Sequence, residues 1–399
     1  MPSAAMGREP CPMANAALKP STHIPSLDGL RAIAIALVFL SHAGLRDVIP
    51  GTFGVTVFFF LSGYLITTLL RREWARAGRI SFRQFYLRRV VRIFPPLYLS
   101  LACASVVTLV GLLPAALTWK AFAAQVFFLA NYYKIYWAGY GMPPGMLVLW
   151  SLAVEEHFYL GFPLLYVAMQ RLRVAPARQA ATLLALSLVV LAWRYSLVRA
   201  LGVDVSGAGQ GWDAGWHRLA ESTDTRLDSI LFGCILAIWG NPALEPSPLS
   251  ERTWKRVLVP LGLAGLLFSF LYREPEFRET ARYTVQGVAL MPIFVAAIRY
   301  PGWWPFRPLN WRWVVRLGAL SYTFYLIHDT FLETAAHWIG RPTVVGAVLS
   351  LATTLAFCEL SYRFVEEPLA SWRKRRRNLR DRALATCEPQ GLVPTDAGG

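Results

Sequence analysis

Eleven predominantly apolar runs punctuate this chain, near residues 29–44, 52–70, 92–113, 117–133, 148–169, 180–199, 226–240, 257–272, 282–299, 316–338 and 344–366. A hydrocarbon core is crossed by about 20 mostly apolar residues in a helix, so runs of this length repeated along the chain define a polytopic membrane protein. Composition agrees: 55% of the residues are hydrophobic and only 16% charged, against about 25% charged in a soluble domain. One buried soluble core explains one such run, not eleven distributed ones.

The run at 117–133 decides the topology. It is short, flanked by Lys120 and Lys134, and ends in the polar-aromatic string NYYKIYW. If it does not cross, the loops on the amino-terminal side hold 28 of the 40 Lys and Arg and the opposite loops 11, with Arg31 inside the first helix. If it does cross, every later loop changes side and the split becomes 19 against 20. Basic residues accumulate in short cytoplasmic loops, which selects the first arrangement. The expected fold is therefore all-α, a transmembrane helical bundle of about ten spans plus one re-entrant or interfacial segment, with both termini in the cytoplasm. The same distribution accounts for the formal charge of +16. The basic residues sit between apolar runs, so nucleic-acid binding is excluded as the reading of that charge.

Residues 1–24 contain no apolar stretch that reads as a cleaved signal peptide, and they form a cytoplasmic segment. Residues 25–370 form the membrane domain, and 371–399 a basic and then polar tail. The tail's RKRRR run reads as a topology and anionic-lipid signal, and its polar end is expected to be disordered. The five cysteines are scattered, without a CxxC pair or Cys/His ligand spacing, so neither a disulfide framework nor a metal site is expected.

A charged side chain at a helix centre costs about 2.5–3.5 kcal/mol on insertion scales, so each one needs a reason. Arg31 and His42 are close to three helical turns apart, on one face, with a rise of about 16 Å. Arg31 then lies toward the cytoplasm and His42 in the outer half. They are either a snorkelling cation and a helix-end cap, or two working groups. Arg89 and Arg92 share a face at the cytoplasmic boundary and suit a phosphate ligand, although ordinary loop arginines give the same pattern. Glu155 and Glu156 point about 100° apart. One of them is placed to orient an imidazole such as His42, with an interfacial cap as the plainer reading. Arg226 and Asp228 read as a bundle-holding ion pair or as site residues. His328, one turn after Tyr325, reads first as a helix–helix hydrogen-bonding group, and Ser62–Gly63 as a close helix approach.

Seven strings appear in order across residues 25–368: PSLDGLRAIAIALVFLSH, GVTVFFFLSGYLI, FYLRRVVRIFPPLYL, WSLAVEEHFYL, RLDSILFG, LSYTFYLIH and YRFVEEP. Together they resemble acyltransferase family 3, integral-membrane acyltransferases of bacterial inner membranes. The resemblance implies an acyl-CoA donor, a sugar hydroxyl acceptor on a surface or secreted glycan or glycosylated metabolite, and functional roles for Arg31, His42, Arg89, Arg92 and Glu155. Two departures stand out. Some relatives carry a fused extracytoplasmic hydrolase-like domain, whereas this chain ends about 30 residues past its last apolar run. Where relatives often read EEQFY, this chain reads EEHFY, which adds His157 as a second candidate histidine.

The mechanism expected from residues and resemblance together is O-acylation, with acetyl-CoA as donor. Arg31, Arg89 and Arg92 bind the donor phosphates. His42 acts as general base with Glu155 orienting it, and Asp228 and His328 bind the acceptor. A transient acyl-histidine stays open, since imidazole is also a nucleophile. The rival class is a glycan or lipid transporter or flippase, for which ionisable residues inside spans serve proton coupling.

Overall fold

A computed structural model describes residues 23–202, 212–340, 343–372 and 375. Residues 1–22, 203–211, 341–342, 373–374 and 376–399 lie outside the described residues, together with the expectations that concern them. The described residues form helices joined by turns and irregular segments, with no strand among them. Three long helices come first, α1 (Pro25–Leu40), α2 (Gly51–Ala77) and α3 (Phe82–Leu109). Two short ones follow, α4 (Trp119–Val126) and α5 (Ala130–Trp137). Next come α6 (Leu149–Arg171), α7 (Pro176–Leu201), the short α8 (Ala214–Glu221) and α9 (Thr223–Ile238). A single turn, α10 (Glu251–Thr253), leads into α11 (Val259–Leu271), and α12 (Pro275–Glu279) links that to α13 (Ala281–Arg299). Helices α14 (Arg312–Ile339) and α15 (Val344–Ser361) complete the bundle.

Seven helical stretches are long and apolar enough to cross a membrane: 25–45, 51–77, 82–109, 176–200, 251–271, 281–299 and 344–372. Length and composition therefore select fewer crossings than the ten expected. The remaining long helices are α6, α9 and α14, and these carry Glu155, Asp228 and His328. Of these, α9 lies inside the bundle, where apolarity is not required of it: thirteen of its sixteen residues are buried. The 117–133 segment is broken into two helices of eight residues, each about 12 Å long and too short for a hydrocarbon core of about 30 Å. Phe128, at φ 58°, stands in the break between them.

Helices without a solvent-driven force between them approach closely where residues are small. Gly63 of α2 and Gly233 of α9 face each other in this way. A Cβ on Gly63 would collide with the Ile230 carbonyl oxygen, and one on Gly233 with that of Phe60. Gly318 likewise presses α14 onto the Asp28 carbonyl of α1. Gly54 of α2 comes similarly close to the Ala34 carbonyl of α1, so α1 is held between α2 and α14.

Candidate active site

Two cavities flank the middle of the bundle, one at each end of α1. The larger, about 930 Å³, holds His42, Trp150, Glu221 and Asp329 on its wall. The smaller, about 310 Å³, is lined by Arg31, Arg72, Arg89, Arg92 and Glu155. The Arg31–His42 spacing thus does place the two residues at opposite ends of one helix.

At the larger cavity α1 ends in a wide π-helical turn, Ser41–Leu45, which Gly44 breaks at φ 105°. His42 is carried on that turn, with 39% of its side chain exposed. Its Nδ1 lies 2.9 Å from Nε2 of the fully buried His328. His328 Nδ1 in turn lies 2.8 Å from the Tyr325 carbonyl oxygen. A carbonyl only accepts, so His328 carries its proton on Nδ1 and its Nε2 accepts. His42 Nδ1 must then be the donor, which leaves the His42 Nε2 lone pair unused. Asp329 Oδ1 stands 3.6 Å from His42 Nδ1, too far for a good hydrogen bond. His42, His328 and Asp329 are thus brought together from the end of α1 and from α14.

This geometry revises two expectations. Glu155 does not stand beside His42: it faces the smaller cavity, where its Oε2 accepts from Tyr159 at 2.9 Å, and the Tyr159 hydroxyl also lies 3.1 Å from Ser62 Oγ. His328 lies behind His42 as its hydrogen-bond partner rather than on the cavity wall. Asp329, next to it in sequence, was not anticipated, although the string HDTF displays it.

At the smaller cavity Arg31 Nη1 lies 2.5 Å from Asp28 Oδ1. Arg89 lies 5.9 Å from the Tyr159 ring centroid. Four arginines against Asp28 and Glu155 leave the cavity an excess of positive charge, the requirement for a ligand with several phosphates. Two residues, Val55 and Tyr325, line both cavities. The Tyr325 hydroxyl is fixed by Ser151 Oγ at 2.7 Å and by the Val148 carbonyl at 3.0 Å.

The other expected residues lie apart from both cavities. Asp228 is fully buried and accepts from Arg194 Nη1 at 2.9 Å and Nη2 at 2.6 Å, and from Thr284 at 2.9 Å. It is a helix-bridging carboxylate, not a cavity residue, and its partner is Arg194 rather than Arg226. Arg226 lies 3.8 Å from the Tyr283 ring centroid, a cation–π contact. His157 contacts Thr223 Oγ1 at 2.7 Å, away from His42.

The helical bundle thus carries a histidine pair at one end of α1 and a cavity lined by four arginines at the other. Residues 24–363 match the acyltransferase domain model, and the chain belongs to acyltransferase family 3. It is 30% identical over 366 residues to the peptidoglycan O-acetyltransferase OatA of Listeria monocytogenes, covering 87% of this chain and 56% of that protein. It is 29% identical over 364 residues to the O-acetyltransferase OatA of Staphylococcus aureus, covering 87% of this chain and 57% of that protein. The chain thus spans little more than half the length of these curated relatives. No solved structure matches it significantly.

Proposed function

We propose that this chain is a membrane O-acetyltransferase that moves an acetyl group from acetyl-CoA to a hydroxyl of a glycan or glycosylated metabolite. The observation that carries the reading is the relay from Tyr325 O through His328 to His42, which leaves Nε2 unused on a histidine that lines the larger cavity. The names of the relatives, O-acetyltransferases of peptidoglycan among them, support the acetyl group and the glycan. Ten crossings, both termini in the cytoplasm and a bacterial inner-membrane location complete the proposal. They are supported by the charge split and by the short α4 and α5.

In this reading Arg31, Arg72, Arg89 and Arg92 hold the phosphates of acetyl-CoA at the cytoplasmic cavity, and the thioester arm reaches past Tyr325 toward His42. His42 Nε2 accepts the proton of the acceptor hydroxyl as that oxygen bonds to the thioester carbonyl carbon. It returns the proton to the departing thiolate, giving the acetyl ester and free CoA. Asp329 stabilises the transient imidazolium, and His328 keeps the ring in the tautomer that the step needs.

The rival, a glycan or lipid transporter, draws on the same two cavities with a shared wall. Purified protein incubated with acetyl-CoA separates them. Glycan-dependent CoA release is expected, and its absence across a panel of glycans would leave the transporter as the better account.

A further inference from the structure

His42 and His328 are 286 residues apart in the chain, so no local ligand spacing announces them, yet their nitrogens meet at the end of α1. One ligand atom of each of His42, His328 and Asp329 lies within 4.8 Å of the other two. His42 and Asp329 line the larger cavity, and the buried His328 closes the set from behind. The wall of that cavity carries five Lys and Arg against five Asp and Glu. Its summed charge therefore neither gathers nor expels a cation, and the ligand atoms decide.

Two features go beyond proximity. A metal-binding histidine characteristically donates its other ring N–H to a backbone carbonyl or a carboxylate, which fixes its tautomer. His328 does this through Nδ1 to the Tyr325 carbonyl at 2.8 Å, so its Nε2 lone pair points at the cluster. The spacing also suits a small tetrahedral ion. Zn–N bonds of about 2.0–2.1 Å set two ligand nitrogens about 3.3 Å apart. The distances from His42 Nδ1, 2.9 Å to His328 Nε2 and 3.6 Å to Asp329 Oδ1, fall on either side of that value. The two ring planes lie within 5° of parallel, so one ring must turn for both lone pairs to converge on an ion. His42 is the ring able to turn, half-exposed on a π-helical turn that Gly44 breaks.

We propose that His42, His328 and Asp329 form a divalent-cation site of the zinc class, and that a cation bound there switches His42 off as a base. Two imidazoles and one carboxylate select zinc over magnesium or calcium, which take oxygen ligands. Three protein ligands leave the fourth position open to the cavity. The cation takes the Nδ1 lone pair of His42, and the proton that Nδ1 held moves to Nε2. The ring stays neutral and keeps its one proton. His328 Nε2 is already bare and loses nothing. With Nε2 protonated, His42 can only donate there, so it no longer accepts the proton of a hydroxyl. The site stands on the ligand geometry alone, whereas the loss of turnover rests on the acetyl-transfer reading above.

The test uses the full chain, without a histidine tag and freed of metal by a chelator, with Co²⁺ and Zn²⁺ as probes. One equivalent of Co²⁺ should bind with the visible absorption of a tetrahedral nitrogen–oxygen site and without the thiolate band that cysteine ligation gives. Zn²⁺ should displace it and Mg²⁺ should not. Asp329→Ala and His42→Ala should each weaken Co²⁺ binding by more than the roughly 10–100-fold that loss of an outer-shell partner costs. Both side chains reach the cavity, so these variants keep the test decisive if replacing the buried His328 unfolds the protein. In turnover, Zn²⁺ should lower kcat of the wild type at unchanged acetyl-CoA affinity, and chelation should restore it. The ratio of rates with and without Zn²⁺ should return close to one in Asp329→Ala. Absence of Co²⁺ binding, or binding that survives both substitutions, overturns the site. A wild-type rate that saturating Zn²⁺ leaves unchanged or raises overturns the switch. Binding is read without turnover, so a bound cation with no acetyl transfer to any glycan upholds the site and sinks the enzyme reading instead.

Discussion

A histidine at a membrane surface is an ordinary residue until something fixes which nitrogen bears its proton. Here the fixing group is His328, locked by a backbone carbonyl that can only accept. His42→Ala should lower turnover by about 10²–10⁴-fold with acetyl-CoA affinity intact, as loss of a general base does. His328→Phe should act in the same direction through the lost acceptor for His42 Nδ1–H, whereas His157→Ala should leave turnover near wild type. Steady-state rates alongside donor affinity check all three, and full activity of His42→Ala would remove the base. At the other cavity Arg92→Ala should weaken acetyl-CoA binding, and Arg92→Lys should restore only part, because an ammonium lacks the planar fork. Calorimetric affinity reads this directly, and unchanged affinity in a folded Arg92→Ala would take Arg92 out of the donor site. The placement of Arg31 and His42 at opposite ends of α1 was legible because the rise per residue fixes it, whereas the π-helical turn Ser41–Leu45 sets where His42 points. The assignment of Glu155 to His42 was not, because it depends on how separate helices are rotated against each other. Asp329 was hidden for a related reason. One residue from His328 it is turned about 100° around the helix, and its approach to His42 depends on how α14 sits against the end of α1.

At the scale of helices, the packing that positions these groups rests on absent side chains and on buried ion pairs. Gly63 and Gly233 allow α2 and α9 to touch backbone to backbone. Gly233→Val should therefore lower the apparent melting temperature in detergent before it touches any cavity, and a melting point equal to wild type would show that the contact is dispensable. The Arg194–Asp228 pair joins α7 to α9 with both side chains fully buried. Asp228→Asn strands the guanidinium in the interior, a change that costs about 3–5 kcal/mol in buried pairs. Denaturation midpoints should record that loss while acceptor KM of the surviving folded protein stays the same. A raised KM with unchanged stability would return Asp228 to the acceptor site. The glycine contact was readable in the string LSGY, since small residues on an apolar helix have few other uses. Arg194 was not readable as a partner, because an arginine near the end of an apolar run looks like any interfacial cation until the neighbouring helix is known.

For the whole molecule, the decisive quantity is which end of the bundle faces the cytoplasm. The arginine-rich cavity holds Arg31, Arg89 and Arg92, and the cavity of His42 holds Arg273 on its wall. Acetyl-CoA is a cytosolic metabolite with several phosphates, so the proposed reaction works only if the first cavity opens inward. The loop charges point the same way, with 28 Lys and Arg on the side of Arg76 and 11 on the side of Arg273. Both arginines are exposed, so cysteines placed there can meet a reagent. In a background freed of the five native cysteines, Arg273→Cys should react with a membrane-impermeant maleimide added to intact cells. Arg76→Cys should react only after permeabilisation. The short α4 and α5 matter to the result, because a crossing by that segment would move Arg273 to the cytoplasmic side while leaving Arg76 where it is. Protection of both positions in intact cells would therefore mean that the segment crosses and the ten-span arrangement is wrong. Labelling of Arg76→Cys from outside would be more damaging. It would turn the arginine-rich cavity away from the supply of acetyl-CoA and leave the proposed donor without a route to its site.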